Sequence, residues 1–228
     1  AKVHFRAAGL PVADDAVVDD RRDLPARAAA LRRSLGPALV VKPAGGGSAI
    51  GVVRLAAEAP DAAVVAALEG ALALESSALV EALMVGRELT CGVLELDDRG
   101  PIALPPTEIL SKAADWYDFR SKYAPGGSEH RCPAALAPAV TARVQEIAVG
   151  AFRALGARDL GRADLILDER GEPTLLELNT LPGMTATSLL PEAAAAAGIA
   201  FPSLCDRLVQ RALGRPRRAW PEAPPMPT

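Results

Sequence analysis

In the segment GRADLILDERGEPTLLELN, residues 161–179, two apolar runs flank the turn residues Glu169–Gly171. The pattern predicts a β-hairpin. With Arg170–Gly171 as a two-residue loop, Asp164 lies directly opposite Glu177, and Arg162 opposite Asn179. Opposed residues on one sheet face have Cβ atoms about 4.5–5.5 Å apart, and like charges there repel. Period-two alternation also puts Glu177 and Asn179 on one face. Three oxygen-bearing side chains, two of them acidic, therefore meet beside an arginine. Mg²⁺ takes oxygen ligands, usually one or two carboxylates plus substrate phosphates, and would relieve the repulsion. The competing reading is a solvated face whose charges tolerate one another, since pair energies are only about 0.2–1 kcal/mol. Against it, Glu177 and Asn179 sit in LLELN, flanked by leucines as in a central strand. A one-residue bulge would break the register.

Two further stretches have the chemistry of anion sites. VVKPAGGGSAIGV places Lys42 at the end of an apolar strand, followed by three glycines and Ser48. Glycines let backbone N–H groups approach a phosphate, and the lysine adds a point charge. No GKS or GKT follows the glycines, so this is not a Walker A loop. A flexible turn between two strands fits the same residues. After the hairpin, PGMTATSLLPEAAAAAG sets Ser188 before Leu189, Leu190 and Pro191, which suits a helix N-cap. A helix N-terminus attracts anions through its free N–H groups and dipole, and Gly183, Thr185, Thr187 and Ser188 suit a carboxylate or an oxyanion. A plain capped helix is the commoner use of such residues.

The elements that must carry these groups alternate between strand and helix patterns. Lys2–Ala8 reads as a short helix stopped by Gly9, and residues 26–35 as a helix ended by Gly36–Pro37. Strands are expected at 38–43, 52–55, 77–86 and 87–96, the last alternating as a half-buried strand does. Asp61 is expected to cap a helix, and 138–155 has apolar residues at helical spacing. Helices are also expected at Glu192–Ala197 and Pro202–Leu213. Residues 111–133 are polar and lack a sustained period, as a functional loop would. The tail 214–228 is too rich in Pro and Arg to pack and reads as disordered. Hairpins mixed with helices indicate an α+β fold.

Composition narrows the classes. The chain has 228 residues, is 50% hydrophobic and only 4% aromatic, so an Ala, Val and Leu core is expected. A net charge of -3 argues against a nucleic-acid surface. No run reaches the roughly 18 apolar residues of a membrane span, and no signal-peptide pattern opens the chain. Cys91, Cys132 and Cys205 suit free thiols in a reducing cytoplasm, and with only His4 and His130 a zinc site is not expected.

Residues 38–213 closely resemble the ATP-grasp portion of D-alanine–D-alanine ligases. The resemblance runs through VKPAGGGSAIGV, EALMVGRE, WYDFRSKY, the CPA of 132–134, GRADLILD and LLELNTLPGMTATSL, in that order. It implies an α+β ATP-grasp fold of two lobes, mixed or antiparallel sheets with packed helices, over 1–85 and 86–213. The function it implies is joining two D-alanines with ATP and Mg²⁺ (or Mn²⁺), for peptidoglycan synthesis. By position, Lys42 would contact the ATP phosphates, Glu81 and Glu88 the adenosine, and the backbone of Ala82 and Leu83 the adenine. Asp164, Glu177 and Asn179 would ligate the metal. Arg162 and the backbone of Gly183 would stabilise the tetrahedral centre, and Ser188 and Leu189 would bind the second amino acid's carboxylate. Lys122, an ATP contact, and Tyr123 would lie on a mobile loop, 111–133, with Tyr123 meeting Ser48 on closure.

Two departures stand against the family pattern. Ala49 replaces a second serine in the glycine loop. The family's N-terminal domain, with the glutamate that holds the first D-alanine, is expected to be missing, and Lys2 matches a different lysine from the family's upstream ATP contact. The rivals are a ligase of the same fold for other amino acids or D-lactate, and a truncated chain that binds ATP without turnover. The expected partners are small molecules, neither nucleic acid nor membrane, with a homodimer left open.

Overall fold

A computed structural model of the chain describes residues 1–47, 49–111, 128–185 and 187–215. It contains two antiparallel sheets that face a shared cleft, the smaller with helices on its other face and the larger with helices on both faces.

The smaller sheet holds β1 (Asp15–Val18), β2 (Leu39–Pro43), β3 (Val53–Leu55) and β4 (Ala78–Ala82), in the order β1-β4-β2-β3. Helices α2 (Leu24–Leu35) and α3 (Asp61–Leu74) cover it. Leu39, Val41 and Val80 meet Ala28, Leu31, Val64 and Leu68 in one cluster, all buried. Alternation then turns Val40, Lys42 and Glu81 toward the cleft. The Asp23 side chain accepts from the Ala26 N–H at the start of α2, where Pro25 also suits the first turn. Asp61 is not a cap. Pro60 holds that position, and the Asp61 carboxylate pairs with Arg32 Nε at 2.9 Å. Strand β1, with only Ala16, Val17 and Val18 between two acidic pairs, escapes the sequence patterns because it is an edge with Val17 exposed.

The larger sheet runs β10-β9-β5-β7-β8, with β6 (Ile102–Ala103) on β5 (Arg87–Leu94). Its other strands are β7 (Thr107–Ser111), β8 (Ser128–Arg131), β9 (Leu160–Leu167) and β10 (Pro173–Asn179). Helix α4 (Pro138–Ala154) packs Val144, Ile147 and Phe152 against Leu89, Cys91, Val93, Ala163 and Leu165. On the opposite face, α5 (Leu189–Ala196) and α6 (Phe201–Leu213) bury Leu94 with Leu190, Ala194 and Leu204. Strand β5 is consequently buried on both faces from Leu89 to Leu94, not half-buried as its alternation suggested. Gly92 permits the close approach of α5, because a Cβ there would lie 2.7 Å from Leu190 Cδ1 and 2.8 Å from Leu104 Cδ1. Strand β8 falls within the stretch expected to be wholly loop.

Helix α1 (Lys2–Ala7) ends at Gly9, whose φ of 69° is left-handed as the stop signal required. Phe5 joins the α4 cluster, and the Leu175 N–H donates to Pro11 O at 2.8 Å, so the first dozen residues pack on the larger sheet.

Candidate active site

The β9–β10 hairpin brings the expected residues together by a different route. Its turn is wider than two residues: Asp168 N–H donates to Glu172 O, and Gly171 takes a φ of 83°. This leaves Leu175 opposite Leu165. A bulge at Leu176 then restores Glu177 opposite Asp164 and Asn179 opposite Arg162. The bulge decides which way the acids point. Leu165 and Asp164 are neighbours on opposite faces, so Leu175 enters the α4 core while Glu177 faces the cleft. Unbroken alternation would have carried Glu177 and Asn179 into that core.

Asp164 is the hub. Arg162 Nε donates to its Oδ1 and Arg162 NH2 to its Oδ2, both at 2.8 Å, a two-pronged charge-assisted contact. Asn179 Nδ2 donates to Asp164 Oδ2 at 3.0 Å and to Glu177 Oε1 at 3.2 Å, so one amide spans both carboxylates. Thr90 Oγ1, directly across the strand pair on β5, lies 2.7 Å from Asp164 Oδ1. Among the described residues, no group of three His, Cys, Asp or Glu is placed to hold a metal alone. Two carboxylates and an amide fit Mg²⁺, whose remaining oxygens come from phosphates and water.

Across the cleft, Glu81 is shared by two lysines: Lys42 Nζ lies 2.5 Å from Oε2, and Lys2 pairs with Oε1. Lys2 is itself buried and donates to Ala13 O at 3.0 Å. Burial pushes the Glu81 carboxyl up, but the Lys42 and Lys2 ammoniums outweigh it and leave it below the usual glutamate value. Burial likewise pulls Lys2 down, and Glu81 offsets only part of that. Lys2, which in the sequence matches a different lysine from the family's upstream ATP contact, lies behind Glu81.

The cleft between these walls has a volume of about 630 Å³ and is lined by Lys42, Glu81, Glu88, Arg162, Asp164 and Glu177, among others. Asn179, Ala82 and Leu83 line it too. The N–H groups of Ala82 and Leu83 are already used, donating to Asp14 O and Ala38 O at 3.0 Å each. The backbone groups these two residues have left to offer the cleft are their carbonyls. The sequence reading missed Met84, Ile109 and Ile166, which supply apolar walls. Ile166 was within reach, since it shares the alternation of Arg162 and Asp164.

Gly183, Ser188 and Leu189 stand beyond the cleft, at the start of α5. Ser188 occupies the N-cap position but does not cap. Its Oγ accepts from the Thr185 N–H at 2.9 Å instead. A Cβ on Gly183 would come within 2.8 Å of that Oγ, so a side chain there would displace the Ser188 hydroxyl from its contact with Thr185. Ala49 adopts a φ of 59°, unusual for a residue with a side chain. Ser48, Lys122 and Tyr123 lie outside the described residues. The cysteines are free, and burial pushes the Cys91 thiol up to about 12, as befits an inert core residue. No helix among the described residues is long and apolar enough to cross a membrane.

A family model described as the C-terminus of D-ala D-ala ligase matches residues 4–210. The chain belongs to this family. A D-alanine–D-alanine ligase from Synechococcus sp. (strain JA-2-3B'a(2-13)) is 42% identical over 213 residues, which is 93% of this chain and 62% of that relative. The chain spans less than two thirds of the length of the curated relatives it matches. Among solved structures, the VanG D-Ala:D-Ser ligase from Enterococcus faecalis superposes with a TM-score of 0.78 at 27% identity, covering 91% of this chain and 59% of that one. A D-alanine–D-alanine ligase from Bacillus anthracis complexed with ATP gives a TM-score of 0.72 at 26% identity, covering 93% and 64%. The α+β architecture is accordingly the ATP-grasp fold, with its two sheets forming the walls of the cleft.

Proposed function

We propose that this protein is an ATP- and Mg²⁺-dependent ligase that joins two D-alanines in peptidoglycan precursor synthesis, in the cytoplasm. The observation that carries the reading is the pairing of Asp164 with Glu177, tied by Arg162 and Asn179, in one cleft with Lys42. Family membership and an ATP-bound structural neighbour support the nucleotide.

In this reading the γ-phosphoryl group passes to the carboxylate of the first D-alanine, releasing ADP. The amine of the second then attacks the acyl phosphate, and phosphate leaves. Asp164, Glu177 and Asn179 hold the cation (Mg²⁺ or Mn²⁺), which supplies charge neutralisation to the phosphates. Lys42 leaves its shared partner Glu81 to meet a phosphate oxygen, while Glu81, Glu88 and the carbonyls near Leu83 receive the adenosine. Arg162 and the Gly183 N–H face the oxyanion of the tetrahedral centre. Ser188 and the Leu189 N–H receive the acceptor's carboxylate at the positive end of α5. Most of the acceleration then comes from positioning and charge, with no covalent nucleophile in the chain.

Two other readings remain to be separated from this one. The D-Ala:D-Ser neighbour favours a different acceptor on the same fold. The other is nucleotide binding without turnover. Coupled ADP release by the purified protein, with ATP, Mg²⁺ and a panel of D-alanine, D-serine and D-lactate, separates them. Release that requires D-alanine alone is the expected result. Release with another acceptor only, or ATP binding with no release, would replace the reading by one of the other two.

A further inference from the structure

We infer that Thr90, on β5, is a positioning residue that helps set the rotation of the Asp164 carboxylate and so the direction in which it faces a cation. The inference rests on the metal-binding reading of Asp164 and Glu177. Thr90 is 2% exposed, and cross-strand pairing places it directly opposite Asp164. Glu177 opposes Asp164 from the other side, so Thr90, Asp164 and Glu177 form one row across three strands.

The hydroxyl has one proton and two acceptors within reach, Asp164 Oδ1 at 2.7 Å and Ala163 O at 3.2 Å. The shorter distance and the full negative charge assign that proton to the carboxylate. Oδ1 is thus held from the β5 side by Thr90 and by Arg162 Nε, while Oδ2 meets Asn179, which also touches Glu177. The terminal torsion of a carboxylate side chain is broad and two-fold, so the hydrogen bonds that its oxygens accept set its plane. The Arg162 fork reaches both oxygens at 2.8 Å each from the carboxylate's own strand, and Thr90 adds a donor from β5. Thr90 on one oxygen and Asn179 on the other then hold that plane, with the Asn179-bound oxygen on the side of Glu177. Loss of hydrogen bonds behind metal ligands commonly costs about 10–100-fold in metal affinity.

The test uses Mn²⁺ as probe, titrated into the purified protein in the presence of ADP, with free Mn²⁺ followed by electron paramagnetic resonance. Thr90→Val, which keeps the shape and removes the donor, is expected to weaken Mn²⁺ binding about tenfold, and Thr90→Ser to restore it. Thr90→Ala against Thr90→Ser makes the same comparison if Thr90→Val does not fold. A donor-less variant that folds and binds Mn²⁺ like the parent, while Asp164→Asn binds it poorly, overturns the role of Thr90. Unchanged binding in Asp164→Asn overturns the metal reading beneath it.

Discussion

The two walls of the cleft solve opposite electrostatic problems. On the β2–β4 wall one carboxylate, Glu81, is shared by two ammoniums, Lys42 and Lys2. On the β9–β10 wall two carboxylates, Asp164 and Glu177, are joined by one amide, and one guanidinium pairs with Asp164. The first wall has cation to spare for a phosphate, and the second has anion to spare for a metal. A metal–nucleotide complex needs both. The walls also differ in depth: Glu81 is 3% exposed, whereas Glu177 is open to solvent. The lysine wall therefore belongs as much to the folding of the chain as to its ligand, and the hairpin wall mainly to the ligand.

The largest expected effect breaks the hairpin wall. Arg162→Met removes the guanidinium from Asp164 and, on the proposed reading, from the oxyanion, and ADP formation should then fall by about 10²–10³-fold. Its thermal unfolding should change far less than its rate. Lys2→Met should do the reverse. Breaking a buried ion pair costs about 3–5 kcal/mol, and because Lys42 still faces Glu81 we expect about 3 in urea unfolding. Gly92→Ala tests the spacing of α5 above the hairpin face. A methyl group there meets Leu190 and Leu104, and overpacking of this kind costs about 1–3 kcal/mol.

The smallest effect is in acid. The Arg87 guanidinium, donating to both Glu108 oxygens at 2.7 and 2.8 Å, holds that carboxyl below the usual value of 4.5, and Glu81 also lies below it. Between the folded and unfolded values the unfolded chain binds more protons, so stability falls as pH falls. The contribution is complete above about pH 4.5 and is lost as the pH drops through the folded values. Melting temperature against pH should show a shallower acid decline in Glu108→Gln than in the parent.

Much of this comparison was legible in the sequence, though not always for the right reason. Asp164 opposite Glu177 followed from a two-residue turn and an unbroken register, yet the hairpin has a wider turn and a compensating bulge at Leu176. Pairing from residue spacing cannot see two offsets that cancel. Nor did alternation alone show that Leu175 and Glu177 must part company, because both are odd-numbered residues of one strand. The pairing of Lys2 with Glu81 was invisible, since it joins residues far apart in sequence through the fold. Thr90 was equally hidden inside an apolar strand, where a threonine usually means β-propensity and nothing more. Short edges such as β1 and β8 escaped because four polar-flanked residues carry no readable period.

The central claim is that the hairpin wall holds the cation for ATP. Calorimetric titration of ATP into the protein, with and without Mg²⁺, for the parent and for Glu177→Gln, tests it most directly. The account predicts that Mg²⁺ strengthens ATP binding in the parent, and that Glu177→Gln loses this dependence while unfolding at nearly the parent temperature. Equal Mg²⁺-dependent affinity in the two proteins would contradict it.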